Sequence, residues 1–86
     1  MKPEHQLLVL SPPAQVAQAA ELLGLARPLE NLTADALAAG RVGDDEPTGH
    51  RNVFVGDGIV VRVRRAVSPF SGRPAWLPVS IGRARR

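Results

Sequence analysis

The stretch that decides the fold is Asn52-Val53-Phe54-Val55-Gly56-Asp57-Gly58-Ile59-Val60-Val61-Arg62-Val63-Arg64. Two valine-rich runs flank Gly-Asp-Gly, and this pattern predicts a β-hairpin, because β-branched residues favour strands and glycine accepts the positive φ of a tight turn. A three-residue turn with a left-handed Gly58 places one alternating set on a single face: Val53, Val55, Ile59, Val61 and Val63. The opposite face then carries Asn52, Phe54, Val60, Arg62 and Arg64.

The competing register has a two-residue turn at Asp57 and Gly58. That turn would set Arg51 directly opposite Arg64, and like charges facing each other destabilise a strand pair. We therefore expect the register of the three-residue turn.

A third strand follows a longer turn. The residues from Pro69 to Pro74 are rich in turn formers, and Trp76 to Ile81 then has the composition of a strand. Pro78 has no N–H to donate to a ladder, so this strand is expected at the sheet edge or with a bulge.

Before the hairpin the chain is rich in leucine and alanine. Gln6 to Leu10 predicts a short strand, and Ser11 is expected to cap a helix that runs from about Pro12 to Leu23. Serine is a favoured N-cap and proline is tolerated in the first helical turn, while Gly24 suits the end of the helix.

A second helix is expected to end at Gly40. Its start is open between Pro28 and a cap at Asn31 or Thr33. The next residues, Arg41 to Asn52, lack apolar periodicity and predict an exposed loop.

These elements predict one α+β domain over residues 1–86, with an N-terminal strand and a two-helix hairpin packed on a three- to four-stranded antiparallel sheet. The helical half covers about residues 6–40, the β-meander about 51–82, and a basic tail 83–86.

Charge divides the chain at the same place. Residues 1–47 hold three cations against seven acids, a net charge of −4, whereas residues 48–86 hold eight cations against one acid, a net charge of +7. Such asymmetry favours an anionic partner for the basic half, and RNA is the first choice.

Composition limits the covalent links and metal sites that the chain can form. The chain has 86 residues, no cysteine and two histidines, which leaves no disulfide and no conventional zinc site, so we expect neither metal nor cofactor. It shows no signal pattern and no apolar run of about 18 residues, so we expect a cytoplasmic protein without a membrane partner.

The basic strand is the main candidate surface for nucleic acid. Arg62 and Arg64 would project together, with Phe54 placed to stack a base and Asn52 to hydrogen-bond one. The neighbouring cations Arg51 and Arg65 complete this set. The alternative is that these arginines form a solvated face or pair with the three acids Asp44, Asp45 and Glu46.

A catalytic set is also present in outline: His50, Glu46, Arg62 and Arg64. Cleavage of RNA needs a base for the 2′-OH, an acid for the leaving oxygen and cations for the charged phosphorane. Histidine is the usual acid or base near neutral pH. The sequence leaves open whether the protein is an enzyme.

The predicted elements are a strand, two helices and a basic antiparallel meander, and this order resembles that of the RelE-like and barnase-like bacterial toxin ribonucleases. The resemblance also rests on Arg62, Arg64, Arg65 and the arginine tail. The resemblance implies that functional cations project from the sheet, here Arg51, Arg62 and Arg64. It also implies RNA as substrate and an antitoxin-like protein as partner. The chain differs from the family in having no tyrosine and in drawing ten of its eleven cations from arginine.

The alternative function is a non-catalytic protein-binding module. The helical half is rich in alanine and supplies a thin core that a partner would complete. Phe70 and Trp76, near a proline-rich turn and an edge strand, are typical interface anchors. On this interpretation the chain is a phage or bacterial accessory factor or inhibitor, or a homodimer.

Overall fold

The computed structural model describes residues 8–44 and 46–84, which form two helices and a three-stranded sheet. The helices α1 (Ala14–Leu22) and α2 (Leu29–Ala38) precede the strands β1 (His50–Gly56), β2 (Ile59–Val67) and β3 (Pro74–Arg83). The strands are antiparallel in the order β1-β2-β3. The predicted α+β class is therefore confirmed.

The hairpin of β1 and β2 has the predicted register but a different turn. Phe54 pairs with Val60, as the expected faces require. The turn itself has two residues, Asp57 with φ 53° and Gly58 with φ 74°, and a bulge lies just before it. A positive φ at both central residues matches the twist of a hairpin. Because the bulge adds one residue to β1, the two-residue turn gives the same strand register as a three-residue turn.

The core lies between the helices and the valine face of the sheet. Helix α1 packs on β3 and α2 packs on β1. The buried cluster consists of Val16, Ala20, Leu29, Ala36, Leu37, Val53, Val61 and Val63. Burying a valine side chain contributes roughly 1.5–3 kcal/mol, so the strand valines are a major part of the stability of this small domain. No described helix covers the opposite face of the sheet.

Both helices begin directly after a proline. Helix α1 starts at Ala14, with Pro13 as its N-cap and no side-chain cap, so Ser11 does not cap it. A residue before proline is disfavoured in the α conformation, which keeps Pro12 out of the helix. Helix α2 starts after Pro28, one of the two expected starts. No helix in residues 8–44 or 46–84 has the length and apolar character needed to cross a bilayer.

The other candidate cap, Thr33, lies inside α2. It is fully buried, and its hydroxyl donates a 2.8 Å hydrogen bond to the carbonyl of Leu29. This bond satisfies the hydroxyl where α2 packs against the sheet, since a buried polar group without a partner would be costly.

The expected N-terminal strand falls partly outside the described residues. Its described part makes one parallel bridge, between Val9 and Trp76. The N–H of Leu10 donates to the carbonyl of Trp76 over 2.8 Å, and the N–H of Trp76 donates to the carbonyl of Leu8 over 2.9 Å. The described residues therefore add a bridge to β3 and no fourth strand.

The prediction that β3 lies at the sheet edge or carries a bulge is confirmed, and both features are present. It lies at the end of the strand order, and its pairing with β2 shifts register between Arg62 and Val63. The main-chain groups of Trp76 point away from β2 toward Leu8 and Leu10. Pro78 lies two residues further along the same side, where its missing N–H costs no ladder bond.

The segment before β1 lies along the strand edge, so the expectation of an exposed loop for residues 41–52 holds only in part. Arg41, Asp44, Pro47 and Thr48 are exposed, whereas the residues from His50 onward belong to β1. Val42 bridges Val53, and the N–H of Phe54 donates to the carbonyl of Arg41 over 2.9 Å. Further along, the N–H of Glu46 donates to the carbonyl of His50 over 3.0 Å. The edge of β1 gains partners for its main-chain groups, which explains why a segment without apolar periodicity is ordered here.

Candidate nucleic-acid interface

The side of the sheet away from the helices carries most of the predicted binding residues. We call it the open face; it is formed by His50, Asn52, Phe54, Val60, Arg62, Arg64, Leu77 and Ser80. Asn52 lies opposite Arg62, and Arg62 lies opposite Ser80. Phe54 is 43% exposed and Arg64 is exposed. Phe54 is a diagonal neighbour of Arg62 across the strand pair, within reach of a long side chain.

Arg62 makes a two-pronged ion pair with Glu46. Its two terminal nitrogens donate to the two carboxylate oxygens over 3.0 and 2.6 Å. The hydrogen bond from Arg62 lowers the pKa of Glu46, and the same bond raises the pKa of Arg62. Desolvation opposes both changes. Both side chains remain about a third exposed, so the pair is open to a competing anion.

His50 lies beside this pair at the start of β1. Its Nδ1 is 2.8 Å from the hydroxyl of Thr48, and its charge is a minor cause of the lowered pKa of Glu46. Across the ladder it lies opposite Arg64. The structure thus brings together all four residues that the sequence singled out for catalysis.

The arrangement does not favour Glu46 as a general base. A base works best when its pKa is close to the operating pH, whereas the ion pair with Arg62 lowers the pKa of Glu46. Both carboxylate oxygens are also occupied by the guanidinium. The geometry therefore supports Glu46 as an ion-pair partner, and the catalytic role stays a prediction.

Arg51 and Arg65 lie on the other face of the sheet. Arg51 pairs with the buried Val63, and Arg65 follows Val63 by two residues, so both side chains point to the helix side. Their guanidinium carbons lie 5.8 and 5.6 Å from the centre of the Trp76 ring, within cation–π range. The predicted binding set is thus divided, with Asn52, Phe54, Arg62 and Arg64 on the open face. The sequence did not predict the contact with Trp76, because this contact depends on the register of β2 and β3, which pairs Arg65 with Trp76.

The two candidate protein anchors have different surroundings. Trp76 is half-buried and packs against the core. Phe70 is 96% exposed in the turn between β2 and β3. Both aromatics are recognisable in the sequence, but the contacts of Arg51 and Arg65 with Trp76 are not.

The turn around Phe70 is held by the buried Ser68. The hydroxyl of Ser68 accepts bonds from the N–H groups of Phe70 and Ser71, over 3.3 and 3.4 Å. The N–H of Ser68 donates to the carbonyl of Arg73 over 2.9 Å. Phe70 is therefore presented to solvent by an ordered turn.

Comparison with protein-family models, curated proteins and solved structures found no match to this chain. Among residues 8–44 and 46–84, no group of three His, Asp or Glu side chains is placed to hold a metal ion. The contacts within the molecule are consequently the basis for a functional proposal.

Proposed function

We propose that this chain is a small basic protein that binds single-stranded nucleic acid, preferably RNA, on the open face. The supporting observation is that the uncovered side of the sheet combines an exposed Phe54 with the cations Arg62 and Arg64 in neighbouring ladder rows. Stacking of a base on an aromatic ring is worth about 1–3 kcal/mol, and it acts together with neutralisation of the backbone phosphates.

The preference for RNA comes from the polar groups around Arg62. The amide of Asn52 and the hydroxyl of Ser80 flank Arg62 in one row across the three strands. Both groups donate and accept hydrogen bonds, as recognition of a ribose 2′-OH requires. A DNA strand lacks this hydroxyl and should bind more weakly in that row.

The proposal concerns binding, with toxin-like cleavage as a narrower extension of it. Cleavage needs a proton acceptor beside the scissile phosphate. Glu46 is committed to Arg62, which leaves His50 as the candidate acid or base. Loss of cleavage in His50→Ala with binding retained would establish the extension.

The direct test compares two single arginine substitutions. Arg64 lies on the open face, whereas Arg83 pairs with the buried Ile59 and lines a cleft with Leu25 on the helix side. Arg64→Ala and Arg83→Ala remove the same charge, and both residues are exposed. Binding of a labelled single-stranded RNA of about 12 nucleotides is measured by fluorescence anisotropy.

We expect Arg64→Ala to weaken binding several-fold and Arg83→Ala to change it little. Equal losses would mean that only the overall charge matters, and the open face would not be the site. Absence of RNA binding by the unmodified protein at low salt would overturn the proposed function itself.

A further inference from the structure

The turn between β2 and β3 carries the most exposed large apolar side chain among the described residues. We call this segment, Ser68 to Arg73, the tip. Phe70 within it is 96% exposed, and Val67 beside it is 63% exposed. Ser68 is 4% exposed and its hydrogen bonds fix the turn. A single exposed apolar residue is ordinary on a protein surface, so the position of Phe70 at the end of a basic strand carries the case for a binding role.

The tip lies at the end of a strand whose outward face is basic. Arg62 and Arg64 project from β2 on the open face, and β2 then runs into the tip at Val67. A strand rises about 3.3 Å per residue, so Arg62 and Arg64 lie about 7 Å apart and Val67 lies about 10 Å beyond Arg64. From Gly58 to the last residue, the sequence has seven arginines and no acid.

We propose that Phe70 is a second base-stacking residue that holds one end of a single strand of nucleic acid. The backbone of this strand would follow β2 on the open face. The inference rests on the proposed function and defines the path of the nucleic acid. The strand would run from the row of Phe54, past Arg62 and Arg64, to the tip. Proteins that bind single strands without reading their sequence combine cations along the backbone with aromatic rings on which bases stack.

The distribution of charge favours a nucleic acid over a bilayer at the tip. A bilayer presents a plane, so a membrane-binding tip needs cations in a ring around its apolar residues. Here the tip itself contains one cation, Arg73, whereas Arg62 and Arg64 lie in a line behind it along β2. A linear polyanion can contact both the line of cations and the exposed ring of Phe70.

The length of this path allows the inference to be tested with oligonucleotides of two lengths. Val60, opposite Phe54, lies seven residues before Val67, which corresponds to about 23 Å along β2. A short oligonucleotide can occupy the row of Phe54 without reaching Phe70, whereas a longer one contacts both rings. Removal of the Phe70 ring should therefore weaken binding of the longer strand alone.

The experiment uses Phe70→Ala with Leu22→Ala as its control. Leu22 is 87% exposed on α1, so its truncation removes a similar exposed apolar side chain from the helix side. Neither substitution opens a cavity, and circular dichroism with thermal unfolding checks the fold of both. The probes are single-stranded RNAs of about 4 and about 12 nucleotides, with 2-aminopurine near either end of the longer one.

We expect Phe70→Ala to weaken binding of the longer RNA about 5- to 150-fold and to abolish fluorescence quenching of 2-aminopurine at one end. Binding of the short RNA should not change, and Leu22→Ala should behave like the unmodified protein. If Phe70→Ala binds and quenches the longer RNA normally, the inference is overturned while the proposed function stands. If the unmodified protein binds neither RNA, the proposed function fails first.

Vesicles of phosphatidylserine and phosphatidylcholine test whether the tip binds a bilayer instead. Loss of vesicle binding in Phe70→Ala, with RNA affinity unchanged, would assign the tip to a bilayer and overturn the inference. A concentration-dependent dimer that Phe70→Ala abolishes, again with RNA affinity unchanged, would assign it to a second copy of the chain.

Discussion

Arg62 is the cation of the open face that forms an ion pair with Glu46. Its guanidinium holds both oxygens of Glu46, the same two-pronged geometry with which arginine binds phosphate. In the proposed binding mode, a nucleic-acid phosphate would take the position that Glu46 occupies in this structure. Since the pair is about a third exposed, an incoming phosphate can displace the carboxylate without breaking the core.

Replacing Glu46 with glutamine should therefore strengthen RNA binding. Glu46→Gln removes a negative charge from beside Arg62 while keeping a side chain of the same size. We expect tighter binding, together with a salt dependence steeper by about 0.7 in the slope of log K against log salt, as one further phosphate contact gives. Anisotropy titrations at several salt concentrations measure both quantities. Weaker binding would show that Glu46 organises the site and does not compete for it.

The same carboxylate should contribute a pH-dependent part of the stability. Arg62 lowers the pKa of Glu46 below its ordinary value of 4.5 in the folded protein. The unfolded chain therefore takes up a proton first as the pH falls, and the stabilisation present above about pH 4.5 is lost as the pH drops through the lowered pKa.

Urea unfolding of the unmodified protein and of Glu46→Gln, at about pH 6 and about pH 3, measures this contribution. We expect Glu46→Gln to lose less stability between the two values, and the difference to shrink in high salt because the pair is partly exposed. An identical pH dependence in both proteins would mean that the ion pair does not stabilise the fold.

Among the elements, the β1–β2 hairpin sets which residues face outward. Its turn requires Gly58 at φ 74°, where an alanine is strained although no atom lies within 4 Å of the added Cβ. Gly82 in β3 also has open space for a Cβ, but its φ is not positive. Because neither added Cβ would meet another atom, comparing substitutions at the two glycines isolates the effect of backbone strain.

Gly58→Ala should lower the free energy of unfolding by roughly 1–2 kcal/mol, the cost of a left-handed non-glycine residue. Gly82→Ala should stay within about 0.5 kcal/mol of the unmodified protein. Urea denaturation of the three proteins tests this directly. Equal effects of the two substitutions would contradict the turn geometry described above.

The hairpin was predictable because alternating valines fix the register wherever one face is buried. The sequence could not show that the turn has two residues and a bulge, since both geometries place Phe54 and Arg62 on the same face. The ion pair was foreseen only as an alternative. It depends on the main-chain bonds of Arg41, Gly43 and Glu46 to β1, which leave no apolar pattern in the sequence.

The division of charge along the whole chain is partly neutralised within the fold. Glu46, from the acidic half, pairs with Arg62, from the basic half. The sequence from Gly58 onward still has seven arginines and no acid. Two of these arginines, Arg62 and Arg64, lie on the open face, and a basic field raises association rates with a polyanion at low salt.

The salt dependence of RNA binding is the measurement that most directly tests the open face as a nucleic-acid site. We predict that log K falls linearly with log salt, and that Arg64→Ala makes the slope shallower by about 0.7 while Arg83→Ala leaves it unchanged. Failure to bind single-stranded RNA at low salt, or an equal change of slope in both variants, would contradict the open face as the binding site.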